Sequence, residues 1–196
     1  MAGRAAMRLG GICGILYVLF LIPAYLVGYP DSPSSESSAQ GVFTYFHAGP
    51  EAFVLFNGVL AIFAVFFFVW FLGILHSVLR SADEDGGALS SLALSGGTMF
   101  AALVGAGLAV EILYPATLTR FDNFQAESQH VFWSLTLSAW LYHFAQVGTA
   151  VLVSATSLLA LGTGVLLRWL ALAGFVVAFL ALLHFLIPLL DECCVD

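Results

Sequence analysis

Lysine is absent from this chain, and charge of either sign is scarce: five arginines are the only strongly basic residues, and charged residues make up 9% of the sequence. A soluble domain carries roughly a quarter charged residues, so a water-facing fold could not cover its surface, and lipid must cover it instead. A formal net charge of -7 excludes nucleic acid as an expected partner, because neutralising phosphates takes clustered Lys and Arg. There is likewise no polybasic segment for anionic lipid headgroups. Three cysteines are too few for a disulfide framework. Cys13 lies in an apolar run and reads as a small buried residue, while the adjacent Cys193 and Cys194 read as free thiols at a frayed end. No Cys/His spacing suits a zinc finger. Also missing are Gly-x-Ser-x-Gly, His-Glu-x-x-His, a phosphate-binding loop and a dinucleotide fingerprint, so no short motif supports nucleophile, metalloprotease or nucleotide chemistry.

What is present is hydrophobic sequence, 61% of the chain. It falls into five runs, each long enough to span a bilayer, which takes about 20 mostly apolar residues. The first, 9–29, follows Arg4 and Arg8 as a signal peptide would. No small-x-small cleavage site follows it, so it reads as a retained helix with a kink at Pro23. Residues 30–50 form a polar connection whose second half, 42–47, is amphipathic enough to lie at the membrane interface. The second run, 51–79, follows Pro50, a residue favoured at a helix start. A polar turn at 80–87 leads to the third run, 92–114, which Pro115 is expected to end. A second polar loop, 116–129, precedes the fourth run, 131–161. Gly162-Thr163-Gly164 then turns the chain into the fifth, 165–190. The expected fold is therefore all-α: a single transmembrane domain, 1–196, built as a five-helix bundle with lipid as its surrounding partner. No internal repeat is evident. Cytoplasmic loops retain positive charge, and placing the N-terminus inside leaves only Arg120 outside, so the C-terminus is expected outside.

Several residues could carry more than packing. Gly97, Ala101, Gly105 and Ala109 recur at every fourth position of the third run, a ridge that lets another helix backbone approach closely in lipid. Glu111 is a carboxylate well inside a span, where insertion scales put the cost of a charge at roughly 2.5–3.5 kcal/mol. It falls about 40° from Gly97 on a helical wheel, close to the packed side. On the fourth run Thr136, His143, Gln146, Ser154 and Ser157 lie within about 80° of one another. Such a polar stripe serves either hydrogen bonding between helices or the lining of a passage. With the N-terminus inside, His47, Glu51, Glu111, Glu127, His130 and His184 all gather toward the outer half. Glu127 and His130 have the Glu-x-x-His spacing used by carboxylate-bridged metal sites in bundles, and Glu111, Glu127, His130 and His184 are the candidate metal ligands, imidazole and carboxylate together suiting zinc, iron or copper. One such pair is less than a di-metal site of that class needs. His143 and His184 could also face each other across two antiparallel helices.

The stretch Pro30-Asp31-Ser32 through Ala39, with Val42-Phe43-Thr44-Tyr45-Phe46-His47, Phe67-Phe68-Val69-Trp70-Phe71-Leu72-Gly73 and Leu79-Arg80-Ser81-Ala82, resembles an uncharacterised family of small multi-spanning membrane proteins of actinobacteria. The resemblance covers residues 8–110. It implies a bacterial plasma membrane location, and no activity, cofactor or catalytic residue carries over with it. Three functional expectations remain, in this order. The first is a non-catalytic accessory or assembly subunit that binds other membrane subunits. The second is a small transporter or channel-like protein using His143, Gln146 and Glu111. The third is a metal-dependent membrane enzyme with an outer-face His/Glu site.

Overall fold

A computed structural model describes residues 2–28, 38–48, 50–83, 86–121, 127–164 and 167–194. The described chain is helical and holds no strand: α1 (Ala2–Gly28), α2 (Ala39–Ala48), α3 (Pro50–Phe53), a π-helical segment (Val54–Leu60), α4 (Ala61–Ala82), α5 (Ala88–Arg120), α6 (Ser128–Thr163) and α7 (Arg168–Cys194). Five of these stretches are long and apolar enough to cross a membrane: Ala5–Ala24, Val54–Ala82, Ala88–Arg120, Ser128–Thr163 and Arg168–Ile187. All five expose large hydrophobic side chains, for example Ile15, Phe63, Leu92, Leu137 and Phe179. Water would not tolerate such a surface on a monomer. Trp169 at the start of α7 and Trp133 near the start of α6 are also exposed, where indole rings suit the level of the headgroups.

Several helix ends differ from the sequence expectation. Pro115 does not end the third span; α5 runs through it to Arg120. A proline removes one backbone bond, and a helix surrounded by other helices tolerates that loss. α1 also runs through Pro23, to Gly28, as expected of the first span. α6 continues to Thr163, so only Gly164, with φ +70°, makes the expected glycine turn. Its N–H closes on the Ala160 carbonyl at 3.0 Å, an αL helix end that only glycine enters without strain. α7 then starts at Arg168 and stays helical to Cys194, past the expected end at 190. The side chains of Cys193 and Cys194, and most of the polar first half of the 30–50 connection, lie outside the described residues.

The chain divides into two compact units. One contains Met1–Cys13, Phe68–Leu103 and His143–Asp196; the other contains Gly14–Phe67 and Val104–Tyr142. In the first unit each span packs on the next in sequence. A Cβ on Gly10 of α1 would lie 2.7 Å from Ile74 of α4. Leu72 of α4 presses on Gly97 of α5, and Phe68 meets Phe100 edge to face at 5.0 Å. Gly96 of α5 meets Gly148 of α6 backbone to backbone, a Cβ on Gly148 falling 2.7 Å from the Gly96 carbonyl oxygen. Between α6 and α7, Ala150, Ala178 and Ala181 form a buried cluster with Val153 packed against it. The α4–α5 turn is closed by side chains: Asp83 Oδ2 accepts from the Ser90 N–H at 2.9 Å, and His76 Nδ1 donates to the Ser90 carbonyl at 3.0 Å. A carboxylate there offsets the positive N-terminal end of α5.

In the second unit, Phe20 of α1 stacks on Phe67 and tilts against Phe63, both at 5.6 Å. Ala24, Ala61 and Leu108 form a buried cluster with Leu60, Val65, Val104 and Tyr142 around it. α2 does more than lie at an interface. Ser38 Oγ accepts from the Gly41 N–H at 3.1 Å and so caps its start. Val42 and Phe46, 2% and 1% exposed, then bury one face of α2 with Phe53, Tyr114 and Val131.

Candidate functional site

The strongest concentration of interior polar groups lies in the second unit, and Glu111 is its centre. The carboxyl is 4% exposed on α5. It accepts a hydrogen bond from the Tyr142 hydroxyl of α6. Glycine makes room for that tyrosine: a Cβ on Gly107, one turn before Glu111, would lie 2.8 Å from Cε1 of the Tyr142 ring. Neither Tyr142 nor Gly107 stands out in the sequence, because a tyrosine on an apolar helix and a glycine beside the Gly97–Ala109 ridge both read as ordinary membrane residues.

The π-helical segment supplies the second part. A π turn inside an α-helix is rare and is frequently found at a functional site. Here it turns two consecutive residues, Asn57 and Gly58, into the interior. Gly58 faces α5, a Cβ on it falling 3.6 Å from Ile112, the residue after Glu111. Asn57 is 1% exposed, and its Nδ2 has no hydrogen-bond partner. A buried amide donor left unmade costs about 1–3 kcal/mol, so its retention asks for a reason.

The third part leads to the surface. Tyr114 follows Glu111 by three residues, on the same face of α5, and is 6% exposed. Its hydroxyl lies 3.2 Å from Nδ1 of His47 on α2. The exposed His47 ring tilts against Phe43 at 4.2 Å, and the same Nδ1 lies 3.2 Å from the Phe43 carbonyl.

The expected metal ligands are placed as follows. Glu127 and His130 stand exposed at the start of α6, where the Glu127 carbonyl accepts the His130 N–H at 3.0 Å. Glu111 is interior to the second unit, and His184 belongs to the first. Among the described residues no three of His, Cys, Asp and Glu converge on one point.

The polar stripe of α6 resolves into separate contacts. Thr136 Oγ1 donates to the Phe132 carbonyl at 3.0 Å, and Ser154 Oγ to the Ala150 carbonyl at 2.6 Å, both within α6. Ser157 is buried against Gly174 of α7, and Gln146 is half-buried. His143 does meet His184: the rings sit 5.1 Å apart, tilted by 37°. The depths of the two residues match because α6 and α7 run antiparallel in one register, with Phe144 against Phe185 beside them at 5.4 Å. The ridge on α5 is divided. Gly97 and Ala101 are buried, whereas a Cβ on Gly105 would meet nothing within 4 Å and Ala109 is exposed. The closest backbone approach on α5 is made one residue away, at Gly96.

No protein family, no curated protein and no solved structure matches this chain.

Proposed function

We propose that this chain is a non-catalytic accessory or assembly subunit of a larger complex in a bacterial plasma membrane, held to another membrane-spanning chain through the α7 face that carries His184. The observation behind this is His184 itself. It lies within the apolar segment Arg168–Ile187, and although one side of its ring meets His143 the residue is exposed. Ionisable side chains in membrane helices almost always face a bundle interior or a water-filled cavity, because hydrocarbon offers them no hydrogen bond. Covering by a second helix that carries a polar group meets that need. α7 has the room, since most of its large apolar side chains, among them Leu172, Val176, Phe179 and Leu183, are exposed. The positions of the arginines support an N-terminus inside and a C-terminus outside.

A photo-crosslinking residue placed at His184, in protein extracted with a mild detergent, tests the reading. A single crosslinked membrane protein that also co-purifies at fixed stoichiometry supports it. Crosslinks to lipid alone, or to a second copy of this chain alone, overturn it. The orientation has its own test, a reporter fused after Asp196: activity confined to the cytosolic side overturns the proposed topology.

A further inference from the structure

We infer that Glu111 is a proton-binding site inside the second unit, exchanging its proton with the surface through Tyr114 and His47. This goes beyond the accessory role and stands without it. Three observations converge. A carboxyl 4% exposed inside a membrane span accepts a hydrogen bond from Tyr142. One turn along the same face, Tyr114 reaches His47 at 3.2 Å, and that imidazole is open to the surface. At the level of Glu111, on the neighbouring helix, a π turn holds Asn57 in the interior with its Nδ2 unpartnered.

Each group has a distinct part. Glu111 gains and loses the proton. Tyr142 donates to it and fixes the direction of the carboxyl. The Asn57 amide is a free donor for an acceptor such as one water molecule, which is how buried donors are ordinarily satisfied. Tyr114 carries a hydroxyl that both donates and accepts, and His47 carries an imidazole with two ring nitrogens, one able to take up a proton while the other gives one up. His47 takes up a proton from water at Nε2 and gives the Nδ1 proton to the Tyr114 oxygen, which releases its own hydroxyl proton toward the Glu111 carboxylate; the reverse transfer returns it. No bond other than O–H and N–H bonds forms or breaks.

Among the described residues of this unit, Glu111 is the one buried carboxylate. α1 from Gly14 to Gly28 and the helix from Val54 to Phe67 carry no carboxylate, imidazole or basic residue; tyrosines 17 and 25 are the titratable residues there. On α6, Val131–Tyr142 adds Trp and Tyr rings and no charge, with Glu127 and His130 beyond its outer end. α5 adds Tyr114 and Arg120, α2 adds Tyr45 and His47, and α3 adds Glu51.

Infrared difference spectroscopy on the full chain in lipid nanodiscs, recorded through a pH titration and after transfer to deuterium oxide, tests this. The expected result is a carboxylic-acid C=O band that comes and goes with pH, is lost in Glu111→Gln, and shifts in Tyr142→Phe because its donor is gone. Deuterium should reach that band more slowly in Tyr114→Phe and in His47→Gln than in the parent chain. A pH titration that is the same for the parent chain and Glu111→Gln overturns the proton site. Should Glu111→Gln fail to fold, an unshifted band in Tyr142→Phe does so instead. Unchanged deuterium exchange in both Tyr114→Phe and His47→Gln overturns the route.

Discussion

Gly148→Ala adds one methyl group where two helix backbones touch, and the structure dictates a large effect for so small a change. The new Cβ would lie 2.7 Å from the Gly96 carbonyl oxygen, 2.8 Å from the Phe100 nitrogen and 3.2 Å from the Phe100 Cα. All three atoms are backbone, so no side chain can swing aside; α5 and α6 must separate by several tenths of an ångström along their contact. Overpacking of this kind costs roughly 1–3 kcal/mol and occasionally more. Association in lipid depends on close van der Waals packing, with no hydrophobic drive to offset the loss. At about 2–4 °C per kcal/mol for a chain of this size, the midpoint of thermal unfolding should fall by roughly 2–12 °C. Gly105→Ala on α5 is the control, because its Cβ would meet nothing within 4 Å. Replacing that glycine in a helix should be neutral or stabilising by up to about 1 kcal/mol. Thermal melts of both variants in the same detergent decide the matter, and equal midpoints for the two would refute the claim that α5 and α6 meet at Gly96 and Gly148.

Phe46→Ala removes a side chain 1% exposed from the cluster that seats α2, costing about 3–5 kcal/mol if the cavity stays open; limited proteolysis within 39–48 should accelerate while the spanning helices stay protected. Asp83→Ala deletes the acceptor for the Ser90 N–H and should lower stability by roughly 0.5–2 kcal/mol, as loss of a helix cap does, measured by the same melts. Cys13, free and 5% exposed, should resist a water-soluble maleimide in the folded chain and react on denaturation, tested with Cys193 and Cys194 replaced by serine.

The architecture was legible because it follows from one quantity. Five apolar runs separated by short polar stretches specify five helices long enough to cross a bilayer, and five described helices of that kind stand along those runs. Their ends were less legible. Proline and glycine were given the weight they carry in water, where nothing replaces a lost backbone bond, and α5 and α6 both continued past the expected stops. The site was legible only at Glu111, whose chemistry contradicts its surroundings. Its partners were not. Tyr142, Gly107 and Asn57 are unremarkable in composition, and a π turn has no residue signature, so their convergence depends on how α5, α6 and the Val54–Leu60 segment meet. The antiparallel register of α6 and α7, which brings His143 to His184, likewise follows from the alanines and Gly174 that let the helices approach, and from no property of the histidines.

That register also bears on the polar stripe of α6. A helix lining an aqueous passage keeps its hydroxyls available to water or solute, whereas a helix packed in hydrocarbon turns them back onto its own carbonyls, where they are satisfied without a partner. Thr136, Ser154, Thr149 and Thr163 all donate to the carbonyl four residues earlier. Ser157 meets Gly174, a contact that leaves no width for solute at that point. Thr136, Ser154 and Ser157 are thus engaged within the helices, while His143 Nδ1 and Thr156 Oγ1 on α6 are buried without a hydrogen-bond partner. Around Glu111 the described contacts are the Tyr142 hydroxyl on its carboxyl and, one turn on, Tyr114 against the surface His47. A proton is the one ligand that needs no cavity, and the Glu111→Gln titration tests for it.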